Sequence, residues 1–310
     1  MAVGENIRQR RIALRMSQQE LADAMGYKTR STITKIESGE NDVSQKKLSR
    51  FAEALGTTPE ALISGFGTVY PSAARVPSGR NKNTVIILAG GKSGRTRQNI
   101  PSQFINVNGR PILVYTMQAY QNHPAIDDIY VVCLKGWETI VKAYAEQYGI
   151  TKLRGLIPGG STGIASLKNG FDHIRSSYAP EDLVIIQEAT RPMVSAEMIS
   201  NLLQACSEKS SATTCHSMDE YVQFNISGEK PAYVDRNATI ALQSPEAHTL
   251  ERLEQVFQKA TQLKHPMTES CCTMLLYNLG YDINFIESST NNLKITREED
   301  LAAFSALVKI

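Results

Sequence analysis

Apolar residues recur at helical spacing early in the chain: Ile7, Ile12 and Leu14, then Leu21, Ala24 and Met25, then Ile33 and Ile36. Such spacing predicts short amphipathic helices. Ser17 stands three residues before Glu20, a capping box that opens a helix over 18–25, and Gly26 ends it. After a turn at Gly26 and Tyr27, a third helix is expected from Thr29 to Ser38, closed by Gly39. A fourth follows over 44–56 and a fifth over 58–63.

From Thr84 onward the rhythm changes. Apolar runs at Val85–Leu88, Ile129–Leu134, Leu183–Ile186, Ala212–His216 and Asp282–Ile286 predict strands. Between them, helical patterns occupy 112–121, 138–147, 164–176, 196–208, 250–262 and 298–308. Alternation of this kind implies a mostly parallel sheet covered on both faces, with ligands at the carboxyl ends of its strands. The polar and apolar alternation from Tyr221 to Val234, around Ser227-Gly228, predicts a β-hairpin. A stretch of Gly, Pro, Ser and basic residues without periodicity separates the two patterns. The expected domains are therefore an all-α unit over 1–65, a linker over 66–82 and an α/β unit over 83–310.

Composition adds little beyond placement. The formal charge is +2, and residues 1–65 carry ten Lys/Arg against eight Asp/Glu, so all of the excess lies in the helical unit. The five cysteines, an odd number without CxxC spacing, argue for a reducing cytoplasm and against a disulfide frame or zinc site. Adjacent Cys271 and Cys272 read as buried thiols, and Trp137 as packing. No run of about 18 apolar residues occurs, so no membrane span is expected.

Helix, tight turn and helix is the arrangement that lays a second helix in the DNA major groove. Lys28, Arg30, Ser31, Thr32, Thr34 and Lys35 make a basic, hydroxyl-rich face suited to phosphates and base edges. The segments SQQELADAMG from Ser17, STITKIESGEN from Ser31 and LSRFAEALG from Leu48 resemble the Cro/C1-type (XRE) helix-turn-helix family. The resemblance implies DNA binding; the residues also admit a protein-interaction module of the same fold.

The strand at Val85 runs into Ala89-Gly90-Gly91 and a basic loop with Lys92, Arg95 and Arg97. Glycines let a backbone approach a phosphate or base closely, and the loop supplies positive charge. The spacing is neither a Walker A loop nor GxGxxG. Read in order, AGGKSGR with PSQF, GGSTGIASLKNG, QEATRP, YVDRN and NLKITREEDL resemble the 2-C-methyl-D-erythritol 4-phosphate cytidylyltransferase family, with its ribitol 5-phosphate relatives, over about residues 84–310.

That resemblance implies a Rossmann-like (GT-A-like) nucleotidyltransferase fold with a protruding hairpin arm. It also implies CTP, Mg²⁺ and a phosphorylated polyol as the reacting set, and a homodimer. Arg95, Lys294 and Arg236 would be catalytic, with Arg95 on the triphosphate and Lys294 on the α-phosphate. Ala89, Gly90, Gly91, Lys92, Gly160, Ser166 and Glu188 would hold the nucleotide, and Glu188, in place of the family's aspartate, would stand beside the metal or the ribose. Arg191 would be structural or near the sugar. Arg236, on an arm reaching the neighbouring subunit, and Glu220 would face the alcohol phosphate. The chain departs from the pattern where Ser102 occupies the position of a triphosphate-binding lysine. It departs again at Gly163, in place of an arginine, at Glu220, in place of a small hydroxyl residue, and in the loose acidic motif over 268–272. The retained cations favour a cytidylyltransferase fused to a DNA-binding domain. The departures keep open a regulator that senses CTP or a CDP-alcohol without turnover, or a dimerisation scaffold.

Overall fold

The computed structural model describes residues 3–14, 16–41, 43–55, 57, 59, 62, 81–91, 100–218, 222–228 and 230–308. Two compact units make up the chain, Met1–Val76 and Pro77–Ile310.

In the first unit, helices α1 (Val3–Ala13), α2 (Gln18–Ala24), α3 (Ser31–Glu37) and α4 (Gln45–Ala54) surround one core. Ile7, Leu21, Met25, Ile33, Ile36, Phe51 and Leu55 are all buried in it. Each such side chain contributes roughly 1.5–3 kcal/mol by leaving water. The capping box at Ser17 and Glu20 is formed, so the start of α2 is set by sequence-local hydrogen bonds. Gly26 adopts φ +71° at the turn, a conformation that costs glycine little. Most of the expected fifth helix lies outside the described residues.

The second unit is built on a seven-stranded sheet. Its strands are β1 (Asn83–Ala89), β4 (Asp128–Cys133), β5 (Leu153–Pro158), β6 (Leu183–Glu188), β7 (Ser211–Ser217), β10 (Ile240–Thr249) and β11 (Phe285–Glu287). Short pairs β2 (Asn106–Val107) with β3 (Arg110–Pro111), and β8 (Gln223–Asn225) with β9 (Ala232–Val234), stand apart from it. The order is β11-β7-β10-β6-β1-β4-β5, and every pairing is parallel except the two made by β10. The predicted hairpin is β8–β9, closed around Ser227-Gly228.

Alternation along the central strands sends side chains to two cores. Val85, Ile87, Ile129, Val131 and Ile185 face helices α5 (Ile112–Asn122), α6 (Glu138–Gln147) and α8 (Ala196–Lys209). Ile86, Val132, Val184 and Ile186 face α7 (Gly163–Ile174), α9 (Leu250–Gln262) and α10 (Cys272–Asn278). The last helix, α11 (Glu298–Leu307), packs Phe304 against Ile105, Val107 and Ile295 in a satellite cluster.

Two strands go beyond the expectation. β5 is an edge strand whose side chains are mostly half-exposed. β10 carries Gln243, Ser244, Pro245, Glu246 and His248, and its register against β7 shifts between Leu242 and Glu246. Both lack the apolar run that marks a buried strand. The last predicted strand is also shorter, starting at Phe285.

Candidate functional site

The sheet's carboxyl rim gathers segments distant in sequence. β1 ends at Ala89, and β6 ends at Glu188 on the neighbouring strand. β5 runs out into Gly159-Gly160 and the start of α7, whose N-cap Thr162 accepts from Ala165 N–H. Gly90 approaches Gly159 so closely that an added Cβ would sit 3.3 Å from Gly159 Cα and 3.5 Å from Ser166 Oγ. At Gly160 an added Cβ would lie 2.6 Å from the Ala165 backbone, inside any allowed contact. Ser166 Oγ accepts from Gly160 N–H at 3.0 Å. Gly160 is therefore required by packing as well as by any ligand, while Gly90 leaves a side chain little room.

Beside this corner lies a cavity of about 460 Å³. Ala89, Gly91 and Gln103 line one side, and Glu188, Thr190, Arg191 and Lys294 another. Ser244, Ser270 and Cys271 complete a polar wall, while Leu88, Ile164, Leu167 and Ile186 form an apolar floor. A largely preformed pocket with a few convergent polar groups is the usual form of a small-molecule site.

Charge in this cavity is organised by Glu188. One carboxylate oxygen pairs with the Lys294 ammonium, and the other accepts from Arg191 Nε at 2.8 Å. Arg191 also donates to the Asn292 carbonyl at 2.8 Å. Burial pushes the Glu188 carboxyl up, but Lys294 and Arg191 outweigh it and hold it below the usual glutamate value. The Glu188 amide donates to Ser244 Oγ at 3.1 Å, which ties β6 to β10.

A second carboxylate, Glu246, also lines the cavity and is almost wholly buried. It accepts from the amides of Cys272 (3.0 Å) and Thr273 (2.8 Å) and from the Thr273 hydroxyl. Burial raises its pKa, yet His248 and these donors outweigh that, so it stays ionised. Its work is to anchor the first turn of α10 and so fix Ser270 and Cys271. All five cysteines are free. Burial, with the nearby Glu246, pushes the Cys271 thiol up to about 11, which leaves it protonated at neutral pH.

Of the expected site residues, the fold brings together Ala89, Gly90, Gly91, Gly160, Ser166, Glu188 and Lys294. Ala89, Gly91, Glu188 and Lys294 line the cavity, and Gly90, Gly160 and Ser166 form the corner beside it. Lys92, Arg95, Arg97 and Glu220 lie outside the described residues. Arg236 is exposed on the turn after β9 and is absent from the cavity lining. Ser102 is fully buried and does not line the cavity either, so that position offers the pocket no cation. Gly163 does line it, opposite the Ser270 carbonyl. Sequence reading assigned no role to Gln103, Ser244 or Ser270, and their polar side chains carried no distinguishing spacing. Phe104, next to Gln103, stacks on Trp137 with ring centroids 4.0 Å apart and planes 11° apart.

In the helical unit, α3 buries Ile33, Ile36 and Glu37 and turns Ser31, Thr34 and Lys35 outward, with Thr32 half-buried. Lys28 and Arg30, in the preceding turn, are also exposed. Thr34 Oγ1 donates to Gln18 Oε1 at 3.0 Å, linking α3 to the start of α2. Beneath that face, Arg11 grips Glu37 through Nε (2.6 Å) and a terminal nitrogen (2.9 Å), and Gln18 donates to the same carboxylate at 2.8 Å.

Comparison with known proteins agrees with both units. Residues 7–62 match a helix-turn-helix family model. Residues 83–309 match that of 2-C-methyl-D-erythritol 4-phosphate cytidylyltransferase. A ribitol-5-phosphate cytidylyltransferase of Lacticaseibacillus paracasei is 33% identical over 229 residues, covering 73% of this chain and 97% of the relative. A 2-C-methyl-D-erythritol 4-phosphate cytidylyltransferase of Clostridium botulinum is 30% identical, covering 71% and 95%. In fold, the second unit resembles the crystal structure of 4-diphosphocytidyl-2C-methyl-D-erythritol synthase from Anaerococcus prevotii. Its TM-score is 0.62 at 21% identity, over 74% of this chain and 96% of the other. No helix among the described residues is long and apolar enough to cross a membrane. The chain belongs to the 2-C-methyl-D-erythritol 4-phosphate cytidylyltransferase family, enzymes of nucleotidyl transfer, and carries a helix-turn-helix domain ahead of the family domain.

Proposed function

We propose that the protein transfers a cytidylyl group from CTP to a polyol phosphate of the ribitol 5-phosphate type, releasing pyrophosphate. The single observation that carries this is the convergence of Lys294, Arg191 and Glu188 beside the Ala89–Gly91 corner. A phosphate oxygen of the alcohol substrate attacks the α-phosphorus of CTP, and the bond to the pyrophosphate oxygen breaks. The chain's task is to hold two anions in line and to neutralise charge building on the leaving group. Lys294 takes the α-phosphate, and Arg191, on the other side of Glu188, supports neighbouring oxygens. The glycine corner and Ser166 border the base and ribose. Ribitol 5-phosphate is favoured over an erythritol phosphate because the relative named for it is 33% identical.

Mg²⁺ fits this arrangement. Among the described residues no three His, Cys, Asp or Glu converge. A single carboxylate, Glu188, together with substrate phosphates and water, is nonetheless the usual donor set for this ion. Glu188 would hold it, and when bound it supplies charge neutralisation at the phosphate oxygens. Lys294 and Arg191 each take one Glu188 oxygen, and the remaining lone pairs of the carboxylate are open to a cation.

Two copies would share the β8–β9 arm. Val222, Phe224 and Ile226 are 67%, 56% and 79% exposed, an apolar surface that a second subunit would cover. Arg236 would then serve the neighbouring site. The helix-turn-helix domain would bind DNA through Lys28, Arg30 and the outer face of α3. The buried Ser102, where the family carries a lysine, supports a second reading in which nucleotide binding regulates DNA affinity without turnover.

The test is incubation with CTP, Mg²⁺ and a panel of polyol phosphates, with release of pyrophosphate as readout. Turnover lost in Lys294→Ala supports the enzyme. CTP-dependent DNA affinity without pyrophosphate supports the regulator. Absence of both refutes the two readings. DNA binding itself should be salt-sensitive, and Arg30→Ala or Lys35→Ala should each lower the salt slope by about one.

A further inference from the structure

Gln103 is 2% exposed in the turn that follows the glycine loop. Its side-chain nitrogen donates to the Ala89 carbonyl at 2.8 Å and to the Gly91 carbonyl at 3.0 Å. A primary amide has two hydrogens, so the whole donor capacity of Gln103 is spent on the two carbonyls that flank Gly90. The peptide unit is planar and trans. Fixing the Ala89 carbonyl toward Gln103 therefore turns the Gly90 N–H away from it. A Cβ added at Gly90 would lie 3.3 Å from Gly159 Cα and 3.5 Å from Ser166 Oγ, so the backbone here packs closely on Gly159 and Ser166. The corner is thus held on one side by a side-chain amide and on another by close backbone packing.

We propose that Gln103 is the positioning residue of the nucleotide corner: it sets the peptide orientation of Ala89–Gly91 so that the corner binds the nucleotide half of the reactants. This rests on the cytidylyltransferase reading and deepens it by assigning one residue to one substrate. Gln103 bonds to Ala89 and Gly91, whereas the segment carrying Ser270 and Cys271 is held through Glu246, which accepts from the Cys272 and Thr273 amides. A change at Gln103 should therefore weaken nucleotide binding and leave the alcohol phosphate largely untouched.

Gln103→Glu is the informative replacement chemically, because an ionised carboxylate only accepts and would face two carbonyl oxygens. For this variant, calorimetric titration of the full-length protein with CTP should give a Kd raised by about tenfold or more, since loss of a donor to a buried acceptor is of that order. In steady-state assays the KM for CTP should rise while the KM for the polyol phosphate stays within about twofold of wild type. Gln103→Leu, which removes the donors without adding charge, should shift the same parameter less and decides the matter if Gln103→Glu does not fold. Unchanged CTP affinity in the folded variants overturns the assignment while leaving the cytidylyltransferase reading intact. So does an equal loss for both substrates, which marks a purely structural role. If wild-type protein binds no CTP, UTP, ATP or GTP, both the assignment and the reading fall.

Discussion

The carboxylate of Glu188 accepts from the ammonium of Lys294, 106 residues further along the chain, and both line the cavity. With Arg191 on its other oxygen, Glu188 is an internal counter-ion for two groups suited to phosphates.

Removing each partner should have opposite effects on anion affinity. Lys294→Ala should lower the rate of pyrophosphate release by roughly 10²–10³-fold, the usual effect of losing one cation at a developing charge. Glu188→Gln leaves Lys294 and Arg191 without their carboxylate. We expect it to bind pyrophosphate several-fold more tightly without Mg²⁺, yet to turn over more slowly with it. Titration of both variants with pyrophosphate checks this; weaker binding by Glu188→Gln would remove the counter-ion role.

The corner should tolerate no side chain at Gly160. An alanine there would place its Cβ 2.6 Å from Ala165 and 2.8 Å from the Ser166 nitrogen. Overpacking of this kind costs about 1–3 kcal/mol, and the first turn of α7 must move. Gly160→Ala should therefore lower the melting temperature and raise the KM for CTP together. Gly90→Ala, with its nearest contact at 3.3 Å, should do less.

Acid stability should depend on His123. It is 2% exposed, sits near Ser200 Oγ (3.0 Å) and accepts from the Ala125 amide (3.2 Å). Burial, with Lys152 nearby, lowers its pKa to about 4. The folded form therefore refuses a proton that the unfolded chain takes up near pH 6.5. Stability is present above that value and is lost as pH falls toward 4, by about 3 kcal/mol at most. Melting curves between pH 7 and 4 should flatten in His123→Gln.

In the helical unit, the buried Arg11–Glu37 pair should behave as a unit. Breaking such a pair from one side costs about 3–5 kcal/mol, while replacing both partners with apolar residues is often nearly neutral. Thermal unfolding of Glu37→Ala should show the loss, and the double variant Arg11→Met, Glu37→Leu should recover most of it. DNA affinity should fall in Glu37→Ala also, because Gln18 donates to Glu37 and accepts from Thr34 and so holds α2 against the outer face of α3.

The legibility of these features differs for physical reasons. β1, β4 and β6 were plain in the sequence because buried parallel strands read as unbroken apolar runs. β10 was not: its buried Gln243, Glu246 and His248 are compensated by hydrogen bonds, and a proline inside the run argues against a strand. The glycine corner and Lys294 stood out through motif order. Arg191 read as structural or near the sugar, and only the fold shows it paired with Glu188. Gln103 was hidden because its partners are backbone carbonyls, which leave no trace in residue types.

The stacking of Phe104 on Trp137 has a practical consequence, since Trp137 is the chain's sole tryptophan and Phe104 directly follows Gln103. Its indole emission originates from a single point, the ring stacked on Phe104. A nucleotide that shifts the glycine corner would register as quenching or a spectral change, an optical signal native to the protein that needs no attached dye.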